Sequence, residues 1–235
     1  MKVVALIAAY NEEQYIGKTL EAVSSVELVD EILVINDGST DGTQAVVEEY
    51  VQLAPGRFGI LSLSTNSGKG SALRQGVNAV QGDIYLFLDA DLGSTACYAR
   101  DLLEPVLSSE ADMTIARFSE GQSLGGERMG FGLVRRLAAL GVRLLTGTRV
   151  QSPLSGQRAV KAEVLQRVGG LAQGFGVEVS LTIGALYHGF TLREVPVPMK
   201  HRAYGRSIKG FLHRGRQLIH VVKALMYCWR RGWHG

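Results

Sequence analysis

Two aspartates stand two residues apart directly after an apolar segment of the chain. Asp89 and Asp91 follow Ile84–Leu88, a run that is typical of a buried strand. Carboxylates are the ligands that Mg²⁺ and Mn²⁺ use in proteins, and a cation held in this way can also bind the oxygens of a diphosphate. On its own, an Asp-x-Asp pair is most often a solvated turn. The strand before it and three polar clusters upstream favour a site for a divalent cation and a phosphorylated ligand.

Each of the three upstream clusters also follows an apolar, β-branched segment. Ligands of an open parallel sheet bind outside the carboxyl ends of its strands, so we expect all four clusters to meet at one edge. Asp37, Gly38 and Ser39 also suit a simple turn with a helix cap, and both interpretations can hold together. Lys69 stands between two glycines, but the spacing of an ATP-hydrolysing phosphate loop is absent. The clusters are Tyr10–Glu12 after Val3–Ala9, Asn36–Thr43 after Glu31–Ile35, and Asn66–Gly70 after Phe58–Leu63.

The segments between the clusters predict the elements that position them. Glu13–Ser25 and Asp41–Leu53 carry apolar residues at helical spacing, and strands that alternate with helices indicate βαβ units and a parallel sheet. The sequence therefore predicts an α/β protein with a mostly parallel, Rossmann-like sheet flanked by helices. Further predicted elements are the strands Met113–Ala116 and Thr191–Pro196, the helix Leu133–Leu145, and a glycine-rich loop over the site at Glu120–Gly132.

The composition of the chain narrows the class of protein. Its 235 residues are 46% hydrophobic and 20% charged, which allows a substantial core and excludes an intrinsically disordered chain. Cys97 and Cys228 are too far apart in sequence to suggest a disulfide framework or a zinc site. The short apolar start leads into acidic residues instead of a cleavage site, and no apolar segment is long enough to span a bilayer. These features predict a cytoplasmic protein whose membrane contact, if any, is peripheral at the inner face.

Charge divides the chain into two unequal parts. Residues 1–194 carry 16 Lys and Arg against 22 Asp and Glu, a net charge of −6, while residues 195–235 carry nine basic residues and no acid. From Ile208 onwards, apolar residues recur at helical spacing with basic residues on the other faces. This pattern predicts a basic amphipathic helix. Three roles stay open for it: packing on the domain, binding to a membrane surface, and formation of a homodimer.

The four polar clusters together resemble the donor half of the family 2 glycosyltransferases, which have the GT-A fold. The motifs are A-Y-N-E, N-D-G-S-T-D-G-T, N-x-G-K-G and L-D-A-D, in this order within about the first ninety-five residues. The resemblance implies sugar transfer from a nucleoside diphosphate, with Mn²⁺ or Mg²⁺ as cofactor and a UDP-sugar, or alternatively a GDP-sugar, as donor. It implies that Ala9, Tyr10, Glu12, Asp37, Ser39, Lys69, Asp89 and Ala90 bind the nucleotide sugar and that Asp89 and Asp91 bind the metal.

The second half of the chain has a looser resemblance to the glucosyl-3-phosphoglycerate synthases and, more distantly, to the polyprenyl-phosphate sugar transferases. The matching segments are Gly125–Arg128, Ser152–Arg158, Gly174–Val179 and Val195–Arg202. Without this resemblance, His201 in its basic segment and Glu178 between two valines would be interpreted as solvent-exposed side chains without a function. The resemblance implies a catalytic group of Asp91, Glu178, Leu154 and Ser155, sugar contact by Gly156, a third metal ligand in His201, and acceptor contacts by Gly126, Arg128, Arg158 and Arg202.

Two positions depart from these families and leave the acceptor open. Gln157 stands where the phosphoglycerate enzymes commonly have an acid, and Ser152 stands where an aspartate usually occurs in the polyprenyl-phosphate group. The expected acceptor is a small phosphorylated compound such as a phosphoglycerate, and the alternative is a lipid phosphate at a membrane. An inverting reaction on a hydroxyl needs a carboxylate base, for which Glu178 is the candidate. In a retaining reaction, Glu178 would orient the sugar instead.

Two other classes of function fit the sequence less well. A nucleotide- or nucleic-acid-binding module would use the basic C-terminal segment, but it needs neither an Asp-x-Asp pair nor His201. A nucleotidyltransferase would need a glycine-rich, arginine-containing loop where Tyr10–Glu12 stands. We therefore expect a glycosyltransferase domain at residues 1–207, with a donor half at 1–95 and an acceptor half at 96–207, then a basic extension at 208–235, and no nucleic-acid partner.

Overall fold

In the part of the chain that the computed structural model describes, residues 1–118, 131–169, 176–200 and 208–233, a seven-stranded sheet forms the centre of the protein. The order across the sheet is β3-β2-β1-β4-β6-β5-β7. All pairings are parallel except those of β6, which runs antiparallel to β4 and β5. The strands are β1 (Val3–Ala9), β2 (Glu31–Asn36), β3 (Phe58–Ser62), β4 (Ile84–Asp89), β5 (Met113–Phe118), β6 (Arg158–Lys161) and β7 (Leu192–Val197).

Helices cover both faces of this sheet. Side chains of a strand alternate between its two faces, so Val4 and Leu6 of β1 pack into one apolar cluster with α3 and α5–α8, while Val3, Ala5 and Ile7 pack into another with α1, α2 and α4. A 3₁₀ helix at Gly93–Tyr98 precedes α4. The α-helices are α1 (Ile16–Ser24), α2 (Thr43–Leu53), α3 (Lys69–Ala79), α4 (Ala99–Leu107), α5 (Phe131–Thr146), α6 (Ala162–Val168), α7 (Val177–Tyr187) and α8 (Ile208–Arg230).

The predicted α/β class is confirmed, and each predicted strand is present with ends within two residues of the prediction, with three corrections. Strand β6 was not predicted; it is only four residues long and has a charged residue at each end, so only Ala159 and Val160 give an apolar signal. Helices α1 and α2 begin at Ile16 and Thr43, two to three residues later than predicted. Ser39 and Thr40 do not cap α2 as predicted. Oδ1 of Asp41 instead accepts a hydrogen bond from the backbone N–H of Thr43, the first residue of the helix, at 3.0 Å.

The C-terminal segment forms the predicted helix, and one face of it is packed on the domain. Val221, Ala224 and Cys228 of α8 are buried in the same apolar cluster as residues of α5 and α7, and Trp233 after the helix is buried there too. Among the side chains of α8 that the structure describes, residues 218–230, those on the opposite face are exposed. Among the residues that the structure describes, no helix combines the length and the hydropathy needed to span a bilayer.

Candidate active site

The polar ends of four parallel strands lie at one edge of the sheet. In the strand register, Ala9 of β1 stands opposite Asn36 of β2, Asn36 stands opposite Ser62 of β3, and Ala8 stands opposite Asp89 of β4. The residues that follow each strand therefore meet at this edge, as the sequence predicts.

The antiparallel direction of β6 brings part of the second half of the chain to the same edge. Arg158, the first residue of β6, stands opposite Phe87 of β4, two residues before Asp89. Because β6 runs against its neighbours, the segment that precedes it arrives where the parallel strands end. This segment, residues 153–157, includes the predicted sugar-lining positions Leu154, Ser155 and Gly156.

A lysine ammonium lies between two carboxylates at the centre of this edge. Lys69 is the first residue of α3; its Nζ forms an ion pair with Asp89 and lies 3.5 Å from Oε1 of Glu178. Burial disfavours the charged form of Lys69, but the two carboxylates outweigh it and raise the pKa of this lysine above its ordinary value. The ammonium is therefore positively charged at neutral pH.

Glu178 is a buried carboxylate in the first turn of α7, and its side chain is only 10% exposed. Burial raises the pKa of Glu178, and the positive charges of Lys69 and Arg158 partly oppose this shift. A carboxylate with a raised pKa takes up a proton more readily than an exposed glutamate. Glu178 can therefore accept a proton or hold a hydroxyl group in a space with little water.

Gln157 orients Asp89, a role that the sequence interpretation missed. Its side chain is fully buried; Nε2 donates to Oδ2 of Asp89 at 2.6 Å, and Oε1 accepts from the hydroxyl of Ser155 at 3.3 Å. An ionised acid at position 157 would repel Asp89, whereas the amide donates to it. The signal for this role was the departure at Gln157 from the acid that is common in the phosphoglycerate enzymes.

Gly156 leaves the space that the ion pair fills. A Cβ at this position would collide with the ammonium of Lys69 and would lie 3.2 Å from Oδ1 of Asp89. Backbone of the second half therefore packs directly against the charged pair. Leu154 beside it is half-buried and packs against the apolar core.

Arg158 is not a loop residue at the surface, which corrects the predicted acceptor-facing position. It is buried on β6, and its Nε, Nη1 and Nη2 donate to the carbonyl of Ser155, the hydroxyl of Thr182 and the carbonyl of Pro153 at 2.8, 2.8 and 2.9 Å. Burial lowers the pKa of Arg158 to about 10. With its guanidinium engaged in this way, Arg158 ties residues 153–155 to α7 and holds the loop that carries Gly156.

Asp37 shapes the loop that begins α3. Its buried carboxylate accepts the backbone N–H groups of Ser67 and Gly68 and the hydroxyl of Ser67, each at 2.8 Å. Gly38 next to it has a positive φ of 70°, and a Cβ there would lie within 3 Å of the backbone at Thr65 and Asn66. The predicted nucleotide-binding residue Asp37 therefore also fixes the position from which Lys69 starts.

The remaining predicted nucleotide-binding positions lie around the ends of β1, β2 and β4. Asn11 adopts a left-handed conformation; its N–H donates to the hydroxyl of Ser39 at 3.0 Å and its Oδ1 accepts from the N–H of Thr40 at 2.8 Å, which joins the two loops. Tyr10 is 46% exposed at this edge. Ala9 and Ala90 are buried and Glu12 is half-buried. The two alanines are therefore part of the core below this edge, and Tyr10 and Glu12 contribute to its accessible surface.

Asp89 and Asp91 fit a cation site at this edge only in part. Both carboxylates are half-buried and two residues apart at the end of β4. Within the described ranges, no three His, Cys, Asp or Glu side chains are grouped so that they could hold a metal. The third predicted ligand, His201, lies outside the described residues, as do the predicted acceptor residues Gly126, Arg128 and Arg202. Hard cations accept oxygen ligands from water and phosphate as well as from carboxylates, so the two aspartates would suit Mg²⁺ or Mn²⁺, although both oxygens of Asp89 also accept hydrogen bonds from Lys69 and Gln157.

Residues 4–149 match the model of the family described as glycosyl transferase family 2, and the chain belongs to this family. It is therefore a glycosyltransferase. The match covers the sheet edge with Lys69, Asp89 and Asp91, while Gln157 and Glu178 come after it. The matched residues include the four donor-half motifs on which the sequence resemblance is based.

Two curated proteins and a set of crystal structures are similar to most of the chain. The polyprenol monophosphomannose synthase of Mycolicibacterium smegmatis is 28% identical over 88% of this chain and 80% of its own length. The glucosyl-3-phosphoglycerate synthase of Mycobacterium tuberculosis is 30% identical over 76% of this chain, but only 59% of the relative is covered. Its crystal structure with phosphoglyceric acid matches with a TM-score of 0.76 at 26% identity, over 95% of this chain and 80% of that one. A structure of the same enzyme with Mn²⁺, UDP-glucose and phosphoglyceric acid gives a TM-score of 0.74.

We predict that Lys69 acts in catalysis as well as in folding, and the chain offers a matched control. Lys69→Gln leaves Asp89 and Glu178 without their shared cation, so we expect the free energy of unfolding to fall by about 1–3 kcal/mol and donor turnover to fall by about tenfold or more. Lys161 forms a 2.8 Å ion pair with Asp112, and these two side chains are 24% and 25% exposed, close to the 22% and 25% of Lys69 and Asp89. Because Lys161 ends β6, it lies at the other edge of the sheet.

The comparison of Lys69→Gln with Lys161→Gln separates the two roles. Urea unfolding and steady-state kinetics should show a similar loss of stability in both variants, with turnover lost only in Lys69→Gln. Equal turnover in the two variants would contradict a catalytic role for the Lys69 ammonium.

Proposed function

We propose that this glycosyltransferase transfers a glucosyl group from UDP-glucose to a small phosphorylated acceptor, such as a phosphoglycerate, with Mn²⁺ or Mg²⁺ as cofactor. The observation that carries the proposal is the cluster of Lys69, Asp89 and Glu178, which joins the donor half of the chain to the second half. Support for the substrates comes from the structural similarity to the glucosyl-3-phosphoglycerate synthase, which has been crystallised with UDP-glucose, Mn²⁺ and phosphoglyceric acid and with UDP and Mg²⁺.

The leaving group of this reaction is a nucleoside diphosphate that gains negative charge as the glycosidic bond breaks. A divalent cation held by Asp89, Asp91 and, in this proposal, His201 would neutralise part of that charge. The ammonium of Lys69 lies beside Asp89 in a site that neighbouring residues largely shield from water. It would therefore place a second positive charge near the leaving group, already in position before the reaction starts. Gln157 holds the carboxylate of Asp89 in one orientation throughout.

Glu178 would face the sugar or the attacking hydroxyl. It starts α7 beside Lys69 and next to the loop of Gly156, which is where the second half of the chain approaches the donor edge. In an inverting reaction, Glu178 would accept the proton of the acceptor hydroxyl, and its raised pKa suits that role. In a retaining reaction, it would instead bond the hydroxyls of the donor sugar, and a donor phosphate oxygen would accept the proton.

A second candidate function is sugar transfer to a polyprenyl phosphate at a membrane surface, from a UDP- or GDP-sugar. Two observations favour it: the similarity to the polyprenol monophosphomannose synthase covers 80% of that relative, and α8 has an exposed apolar face with basic neighbours. The acceptor would then attack through an ionised phosphate, which needs no general base. In both candidates the acceptor carries a phosphate, for which Arg128 and Arg202 are the proposed ligands.

We predict that Asp91 is needed for metal-dependent turnover. Asp91→Asn is nearly isosteric but removes the charge that a cation requires, so we expect kcat to fall by at least about a hundredfold, roughly 3 kcal/mol of transition-state stabilisation. Asp101→Asn, in the first turn of α4 and outside the Asp-x-Asp pair, is the control and should retain activity. Steady-state hydrolysis of UDP-glucose with added Mn²⁺, alongside circular dichroism, measures both. Full activity of Asp91→Asn, or of the unchanged protein in excess EDTA, would reject the metal role.

We predict that UDP-glucose with phosphoglycerate gives the highest turnover in a panel of donors and acceptors. The panel pairs UDP-glucose and GDP-mannose with 3-phosphoglycerate, glycerate and a polyprenyl phosphate in detergent micelles, and release of the nucleoside diphosphate is the readout. Glycerate should react poorly because it lacks the phosphate.

Each arm of the panel distinguishes one alternative. Turnover with the polyprenyl phosphate alone would replace the proposed function by the second candidate. Tight calorimetric binding of GDP without binding of UDP would show that the nucleotide assignment is wrong while the family assignment stands.

A further inference from the structure

Helix α5 exposes a stripe of leucines on the side that does not pack against the core. Leu133, Leu140 and Leu144 are 67%, 51% and 73% exposed, and their spacing of seven and four residues places them on one face of the helix. The buried side of α5 is formed by Val134, Ala138, Val142 and Leu145. The helix therefore has two apolar sides, and the described residues of the domain cover one of them.

Helix α8 has the same construction in its described part. Ile219, Val222, Met226 and Trp229 are 54%, 41%, 51% and 62% exposed and recur every three to four residues. Val221, Ala224 and Cys228 on the other side are buried.

The two stripes form one continuous surface. Helices α5 and α8 are in contact, with Gly141 packed against the side chain of Leu225. At 100° per residue, Gly141 lies between the buried side of α5 and its exposed leucines, and Leu225 lies between the buried side of α8 and its exposed stripe. The exposed stripe of each helix therefore lies next to the contact between the two helices, on the side that faces away from the core. We call this surface the α5–α8 face.

Basic side chains border the α5–α8 face on both sides. Arg136 and Arg143 are exposed next to the leucine stripe of α5, on the side away from α8. Lys223 and Arg230 are exposed next to the stripe of α8, on the side away from α5. Neither helix contains an aspartate or a glutamate.

We propose that the α5–α8 face binds the surface of an anionic lipid bilayer. Its apolar strip can enter the interface between head groups and acyl chains, while the basic borders meet the lipid phosphates. A second copy of the chain is a poorer occupant, because a symmetric contact through this face would bring like-charged borders together. The proposal does not depend on the acceptor, because binding to lipid vesicles can be measured without any substrate.

Sedimentation with lipid vesicles tests the proposal on the full chain. We expect binding to vesicles that contain phosphatidylglycerol, weaker binding to vesicles of phosphatidylcholine alone, and loss of binding at high salt. Leu144→Glu should weaken the partition to anionic vesicles by about tenfold or more, since it places a negative charge in the apolar strip. Leu53→Glu is the matched control, because Leu53 is 80% exposed at the end of α2, and it should bind like the unchanged protein.

Tryptophan fluorescence gives a second measurement of the same contact. Emission should shift to the blue when anionic vesicles are added, because Trp229 moves from water into the lipid interface. Trp229→Phe should abolish the shift and keep vesicle binding, since Trp233 is already buried, at 5% exposure.

Three outcomes would overturn the proposal. They are absence of binding to anionic vesicles at low salt, equal binding by Leu144→Glu and Leu53→Glu, and a change of oligomeric state in light scattering that is specific to Leu144→Glu, which would assign the face to a second copy. Hydrolysis of UDP-glucose is measured on the same variants. If the unchanged protein hydrolyses UDP-glucose but does not bind anionic vesicles, this proposal fails while the proposed function stands.

Discussion

The candidate site depends on the partly buried ammonium group of Lys69 and the two carboxylates beside it. Lys69 comes from the start of α3, Asp89 from the end of β4 and Glu178 from the start of α7, so three separate elements meet at one charge. Removal of Lys69 would leave two poorly hydrated carboxylates without their shared cation, which costs more than the loss of an exposed ion pair. The constraint ties the donor edge of the sheet to the second half of the chain, and in the proposed function this junction is where the sugar passes between the two substrates.

Three neighbouring side chains hold the residues of this cluster in position. Asp37 fixes the loop that leads into Lys69, Gln157 orients Asp89, and Arg158 holds the loop of Gly156 against α7. Each of these side chains is buried and uses its hydrogen bonds on protein groups near the cluster. A preorganised arrangement of this kind needs little rearrangement when charge develops on a leaving diphosphate.

Much of the donor half could be predicted from the sequence, because each of its strands contains an apolar run and leads into a polar cluster of recognisable spacing. The second half was harder. Strand β6 is short and starts with a charged residue, and nothing in the local pattern shows that Arg158 is buried or that Gln157 reaches Asp89. Those contacts arise from an antiparallel strand inserted between two parallel ones, a tertiary feature that no local propensity encodes. The exposed apolar stripe of α5 was also not foreseen, since apolar spacing alone does not show which side of a helix is covered.

A double-mutant cycle between Lys69 and Glu178 tests the central claim most directly. The measured quantity is kcat/KM for hydrolysis of UDP-glucose in the unchanged protein, Lys69→Gln, Glu178→Gln and the double variant, with unfolding by urea followed in parallel. If the two groups act as one cluster, the double variant loses less than the sum of the single losses, with a coupling energy of about 1 kcal/mol or more. Additive losses within about 0.3 kcal/mol would contradict the account, because they would show that the ammonium and the carboxylate act independently.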